Sequence, residues 1–65
     1  MNSRTVSPRT LAHELARDDA LSSEAWLGDI TTHPDLYYSD YVEICREQGV
    51  LPLSMRAWRR ACHQA

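Results

Sequence analysis

Residues 35–63 read DLYYSDYVEICREQGVLPLSMRAWRRACH, and this stretch predicts two helices joined by a short turn. Apolar residues recur at helical spacing along one side of the first helix, 35–48, while charged residues occupy the other side. Gly49 is the residue type that most often ends a helix, because it adopts the left-handed conformation without strain. Ser54 is a suitable N-cap for the second helix, which we expect to continue to His63.

The second predicted helix, 54–63, has an apolar side and a cationic side. Met55, Trp58 and Cys62 share the apolar side. The opposite side has no carboxylate and carries its polar residues at i, i+3, i+4 and i+7, namely Arg56, Arg59, Arg60 and His63. If Trp58 packs inward, the arginines face solvent, where a guanidinium group can bind a phosphate or a guanine edge.

Two helices joined by a turn of this length predict a helix-turn-helix at about 35–63. In DNA-binding members of that class, the second helix enters the major groove. We therefore expect the chain to bind double-stranded DNA, with Ser54 capping the helix and donating to a phosphate. The expected DNA-binding residues are Ser54, Arg56, Arg59, Arg60 and His63. An ordinary solvated face near a helix C-terminus explains the same cations, because the helix dipole favours them there.

Residues 37–62 resemble the C-terminal winged-helix module of phage, plasmid and poxvirus-type primase-helicases. The resemblance rests on YVEICREQGVLPLSMRAWRR at 41–60, an aromatic helix ending in an acid and glycine, followed by a Pro-Leu-Ser cap and a basic helix. It implies a nucleic-acid-binding helix that starts at Ser54. We expect no β-hairpin wing, since the sequence ends at Ala65, and it contains no ATPase or primase motif. A small phage or plasmid regulator of transcription or replication therefore fits the length better.

The first half of the chain predicts two more helices. Ser7 followed by Pro8 is a typical start, because proline at the first helical position loses no hydrogen bond, and this helix should end near Asp18. A second start lies at Ser22 or Ser23. Leu and Ala contribute 14 residues against five for Val and Ile, a balance that favours helix over sheet.

The 65 residues allow one small domain. We predict an all-α, four-helix domain over residues 7–65, ending in the helix-turn-helix, and a disordered N-terminal arm over residues 1–6. A monomer making three or four phosphate contacts binds DNA weakly at physiological salt. We therefore expect a homodimer, the form in which small domains usually read paired half-sites.

The charge distribution supports a runner-up function. All nine carboxylates lie between Glu14 and Glu47, where two arginines leave a net charge of −7. Carboxylates spread over helical faces can imitate phosphates, so the alternative is an acidic protein-binding inhibitor or adaptor from a mobile element, with a host protein as its partner. Solubility alone explains the same acidic residues.

Several classes of function find no support in the sequence. Catalysis needs a nucleophile, a base and a pocket, which a chain of this size has little room to form, so we expect neither an enzyme nor a cofactor. Cys45 and Cys62 lack the paired spacing of a zinc site and are expected to be buried thiols. No apolar run approaches the roughly 20 residues of a membrane helix, and no leader is apparent. We expect a soluble, cytoplasmic protein.

Overall fold

The computed structural model describes residues 5–18 and 20–65. Three of its helices begin at a serine N-cap. The hydroxyl oxygens of Ser7, Ser22 and Ser54 each accept a hydrogen bond from a backbone N–H three residues later, at 3.2 Å in every case. Within the described ranges the chain forms four helices and no strand: α1 (Pro8–Arg17), α2 (Ser23–Thr32), α3 (Tyr38–Gln48) and α4 (Met55–His63). The predicted all-α, four-helix class is confirmed.

Helix α3 ends where the sequence predicts. Gly49 adopts a φ of +71°, and its N–H donates to the Arg46 carbonyl at 3.2 Å while the Val50 N–H donates to the Cys45 carbonyl at 2.8 Å. These two bonds form a Schellman motif, which satisfies carbonyls that a helix end leaves without partners. A side chain at position 49 would be strained by the positive φ.

The predicted start of this helix at Asp35 is wrong. Helix α2 continues to Thr32, whose hydroxyl donates to the Gly28 carbonyl at 2.7 Å and so does not cap the next helix. Residues 33–37 form successive turns with i to i+3 bonds, and α3 begins only at Tyr38. The Pro34 carbonyl accepts from the Trp58 indole, so a tertiary bond holds this segment as a turn.

The core lies where all four helices meet. Its fully buried members come from each helix and from the segment before α1: Val6, Leu11, Ala12, Ile30, Tyr41, Cys45, Trp58 and Cys62. Val6 corrects the prediction of a disordered arm over 1–6, because its side chain packs in this core; residues 1–4 of that arm lie outside the described residues. Cys45 and Cys62 are buried free thiols, as predicted, and burial raises the pKa of Cys62 to about 11.

Trp58 joins α4 to the rest of the domain. Its side chain has no exposed surface, its ring stacks on Tyr41 of α3 with centroids 4.2 Å apart and planes inclined by 17°, and its Nε1 donates to the Pro34 carbonyl at 2.8 Å. A stacked aromatic pair contributes beyond its area burial. One side chain therefore contacts both α3 and the turn before it.

We expect Trp58→Ala to lower the free energy of unfolding by about 3–5 kcal/mol, because truncating a buried tryptophan loses apolar burial and leaves a cavity. The total free energy of unfolding of a domain of this size is little larger than that loss. Urea denaturation followed by circular dichroism measures the change. Trp58→Phe should lose less, since it keeps a stacked ring, and Trp26→Ala serves as the control at a partly exposed tryptophan. An unchanged midpoint for Trp58→Ala would contradict the packing described.

Candidate nucleic-acid interface

The rotation of α4 about its own axis is fixed by its buried side. Trp58 is fully buried and Cys62, one turn later, is 1% exposed. Residues on the opposite side of the helix must then face solvent. The predicted inward orientation of Trp58 is confirmed, and it decides which α4 side chains are free to contact a ligand.

The outward side of α4 carries three exposed cationic or titratable residues at i, i+4 and i+7. Arg56, Arg60 and His63 are exposed, and within residues 5–18 and 20–65 none of the three forms an ion pair. We call these three residues the α4 basic face. No carboxylate lies on α4 to neutralise it, so both guanidinium groups are available to an anion in solution.

Ser54 lies at the N-terminal end of the same helix. It is exposed, and its hydroxyl oxygen accepts from the Ala57 N–H at 3.2 Å. The N-cap role predicted for Ser54 is therefore confirmed. In this bond the hydroxyl oxygen is only the acceptor. Because a serine hydroxyl is also a donor, its proton can still be donated to a ligand.

Arg59 has a different environment from its two neighbours. Its Nε donates to Asp35 Oδ1 at 2.7 Å and its Nη2 to Asp35 Oδ2 at 2.9 Å, a bidentate pair between residues 24 positions apart. The guanidinium lowers the pKa of Asp35 from its ordinary 3.8, chiefly through the side-chain hydrogen bond. Both side chains remain about half exposed, at 53% and 57%. Arg59, expected to be free, is thus already paired inside the domain.

The turn over residues 33–37 receives contacts from two helices. Besides the bonds from Trp58 and Arg59 of α4, the Tyr37 hydroxyl donates to the Asp29 carboxylate of α2, and this bond raises the pKa of Tyr37 to about 12. The Tyr37 ring also meets Trp26 edge-on, with centroids 6.1 Å apart. The turn therefore places Asp35 beside α4, which explains how Arg59 finds its partner.

The link between α3 and α4 is held by two phenol groups. The Tyr38 hydroxyl donates to the Leu53 carbonyl at 2.6 Å, and the Leu53 N–H donates to the Tyr41 hydroxyl at 2.7 Å. The Leu53 side chain itself is 43% exposed. The turn is thus anchored through its backbone, and the first residue of α4 follows two positions later.

The surface between α1 and α3 has the opposite charge. Leu11, Leu15 and Ile44 lie at the bottom of a groove whose remaining lining residues are all carboxylates: Glu14, Asp18, Asp40, Glu43 and Glu47. Among the described residues, only Glu14 of this set has an ion-pair partner, Arg17 at 3.4 Å. We call this the acidic groove.

Residues 5–18 and 20–65 contain neither a metal-ligand cluster nor a membrane-spanning helix. No group of three His, Cys, Asp or Glu side chains there is placed to hold a metal ion. None of the helices found there has the length and apolar character needed to cross a membrane.

Comparison with protein-family models, with curated proteins and with solved structures gives no match for this chain. The resemblance of residues 37–62 to the winged-helix module of primase-helicases therefore stays a prediction.

We expect the Arg59–Asp35 pair to persist at the pH where an unpaired aspartate is half protonated. Because the folded pKa of Asp35 lies below 3.8, any stability the pair contributes is present above the unfolded pKa and is lost as the pH falls through the folded one. The side-chain Nε–H signal of Arg59 in nitrogen-edited NMR should stay protected from exchange at pH 3.8, the ordinary pKa of an aspartate. The Arg56 signal, which has no carboxylate partner, is the internal control.

The variant Asp35→Asn should abolish that protection at every pH, while Asp18→Asn should leave it intact. Equal exchange of the Arg59 and Arg56 Nε–H protons in the unaltered chain would contradict the bidentate pair.

Proposed function

We propose that the chain binds double-stranded DNA through α4. The observation that supports this most directly is the burial of Trp58, which turns Arg56 and Arg60 outward on one face without a carboxylate partner in the described part of the chain. Arginine binds phosphate oxygens in a planar, bidentate manner. His63 extends the same face by one turn.

The proposal takes α3, the Gly49–Ser54 link and α4 as a helix-turn-helix. The Tyr41–Trp58 stack and the two phenol bonds to Leu53 support it, because they hold α4 against α3 while leaving its basic face uncovered. In such a motif the N-terminal residues of the second helix approach the base edges. Ser54 and Arg56 occupy that end of α4, and Arg60 lies one turn further along.

Arg59 takes part after exchanging its partner. Its bond to Asp35 is half exposed, and exposed ion pairs are held weakly because water screens them. A phosphate with a full negative charge competes effectively for the same guanidinium. The intramolecular pair keeps Arg59 extended over the turn until DNA is present.

Duplex binding should weaken in Arg56→Ala with Arg60→Ala. Each phosphate contact contributes about 0.9 to the slope of log affinity against log salt, so we expect the slope to fall by about two and low-salt affinity to drop at least about tenfold. Fluorescence anisotropy with a labelled random-sequence duplex measures both. Arg9→Ala with Arg17→Ala is the matched control, because it removes the same charge from α1.

Two further variants sharpen this test. Asp35→Asn should increase duplex affinity by releasing Arg59, whereas Asp18→Asn, which removes the same charge far from α4, should have a smaller effect. Undetectable binding of the unaltered chain at micromolar concentration in low salt would refute the proposal, as would equal losses in the α4 and α1 double variants.

The acidic groove supports a second candidate function, the capture of a basic segment of a partner protein. Five carboxylates around three apolar side chains suit an amphipathic helix that has arginines or lysines beside its apolar residues.

This alternative predicts that Asp18→Lys with Glu47→Lys abolishes binding of a labelled Leu/Arg amphipathic peptide, while Arg56→Ala with Arg60→Ala leaves it unchanged. Retained peptide binding in the charge-reversed variant would refute it. The two functions thus respond to opposite sets of substitutions.

A further inference from the structure

The link between α3 and α4 exposes large apolar side chains. Leu51 is 91% exposed and Leu53 is 43% exposed, with the exposed Pro52 between them. Grouped apolar side chains in solvent are typical of a surface that is covered in the working state of a protein. Among the large apolar side chains of residues 5–18 and 20–65, Leu51 has the largest exposed fraction.

Two shallow hollows continue from this link along the outer side of α3. The first has a volume of about 330 Å³ and is lined by Val42, Arg46, Gly49, Val50, Leu51 and Pro52. The second has a volume of about 410 Å³ and is lined by Tyr38, Ser39, Asp40, Val42, Glu43 and Arg46. Because Val42 and Arg46 line both, the hollows form one continuous surface, which we call the α3 outer surface.

The charges along the α3 outer surface are ordered. Glu43 lies nearer the N-terminal end of α3 and Arg46 nearer the C-terminal end, and within the described residues neither forms an ion pair. In a two-fold interface, if residue i of the first copy contacts residue j of the second, then residue j of the first copy contacts residue i of the second. Two copies of α3 laid antiparallel about an axis near residues 44 and 45 would bring Arg46 of each to Glu43 of the other.

The same antiparallel arrangement also pairs the apolar residues at one end of the α3 outer surface with those at the other end of the second copy. Leu51 lines the first hollow and Tyr38 lines the second, so the two-fold axis places the first hollow of one copy against the second hollow of the other. Leu51 therefore meets the hollow lined by Tyr38 and Val42, and the relation is repeated on the other side of the axis. The Leu51 side chain of each copy is thus paired with the hollow beside Tyr38 of the other, as a self-complementary interface requires.

We propose that the α3 outer surface is the interface of a homodimer, with Leu51 of each copy seated beside Tyr38 of the other and Arg46 of each paired with Glu43 of the other. A stable interface covers roughly 800 Å² per partner, about a sixth of the 4659 Å² that the chain exposes. The inference does not require that the chain bind DNA.

Sedimentation equilibrium of the DNA-free chain from micromolar to submillimolar concentration tests the dimer. Leu51→Asp should raise the dissociation constant at least about tenfold, because it puts a charge where each copy would bury an apolar side chain against the other. Leu36→Asp is the matched control, because Leu36 is 71% exposed but lies away from the α3 outer surface. Circular dichroism checks that both variants stay folded, which their exposure favours.

A charge exchange tests the antiparallel register. Arg46→Glu alone and Glu43→Arg alone should each be monomeric, because like charges then face each other twice. An equimolar mixture of the two variants should form a heterodimer, in which both contacts are again between opposite charges.

Three outcomes would overturn the proposal: a monomer at every concentration, equal weakening by Leu51→Asp and Leu36→Asp, or a mixture that stays monomeric. Duplex binding by α4 would survive all three, since it is measured with Arg56 and Arg60, which lie outside the α3 outer surface. A failure here is therefore distinguishable from a failure of the proposed DNA binding.

Discussion

The burial of one indole ring is the constraint on which the rest of the domain depends. Trp58 stacks on Tyr41 and donates to the Pro34 carbonyl, so it determines how α4 lies on α3 and how the chain turns between α2 and α3. A chain of 65 residues buries only about 60% of the surface that it exposes when unfolded, and few side chains are large enough to organise such a core. Because the ring faces inward, the arginines beside it face outward.

Sequence reasoning could predict the features that depend on residues close together in the chain. The serine caps, the Gly49 stop and the two sides of α4 involve residues within one or two turns of each other, and all three are confirmed. The turn over 33–37 was missed because the groups that hold it, Trp58 and Arg59, lie about 24 positions away. Capping and proline signals at Thr32 to Asp35 favour a helix, and a tertiary contact overrides them.

The same limit applies to the candidate sites. Arg59 belongs to the cationic side of α4 by spacing, yet its pairing with Asp35 depends on how the whole domain folds. Leu51 lies in the apolar run 50–53, but Tyr38 and Tyr41 hold that turn through the Leu53 backbone. Their bonds leave the Leu51 side chain in solvent. Periodicity gives the faces of helices, while the environment of a particular side chain depends on contacts distant in sequence.

The acidic groove and the α4 basic face carry opposite charges, and this separation bears on the proposed DNA binding. The region from Glu14 to Glu47 has a net charge of −7, and α4 carries three arginines, so the field of phosphates attracts one side of the domain and repels the other. Two or three phosphate contacts hold a monomer weakly at physiological salt. In the proposed homodimer, two copies joined along α3 would present the same contacts twice, and the second set would bind at the high effective concentration that the first creates. Association through α3 would thus supply the affinity that one α4 lacks.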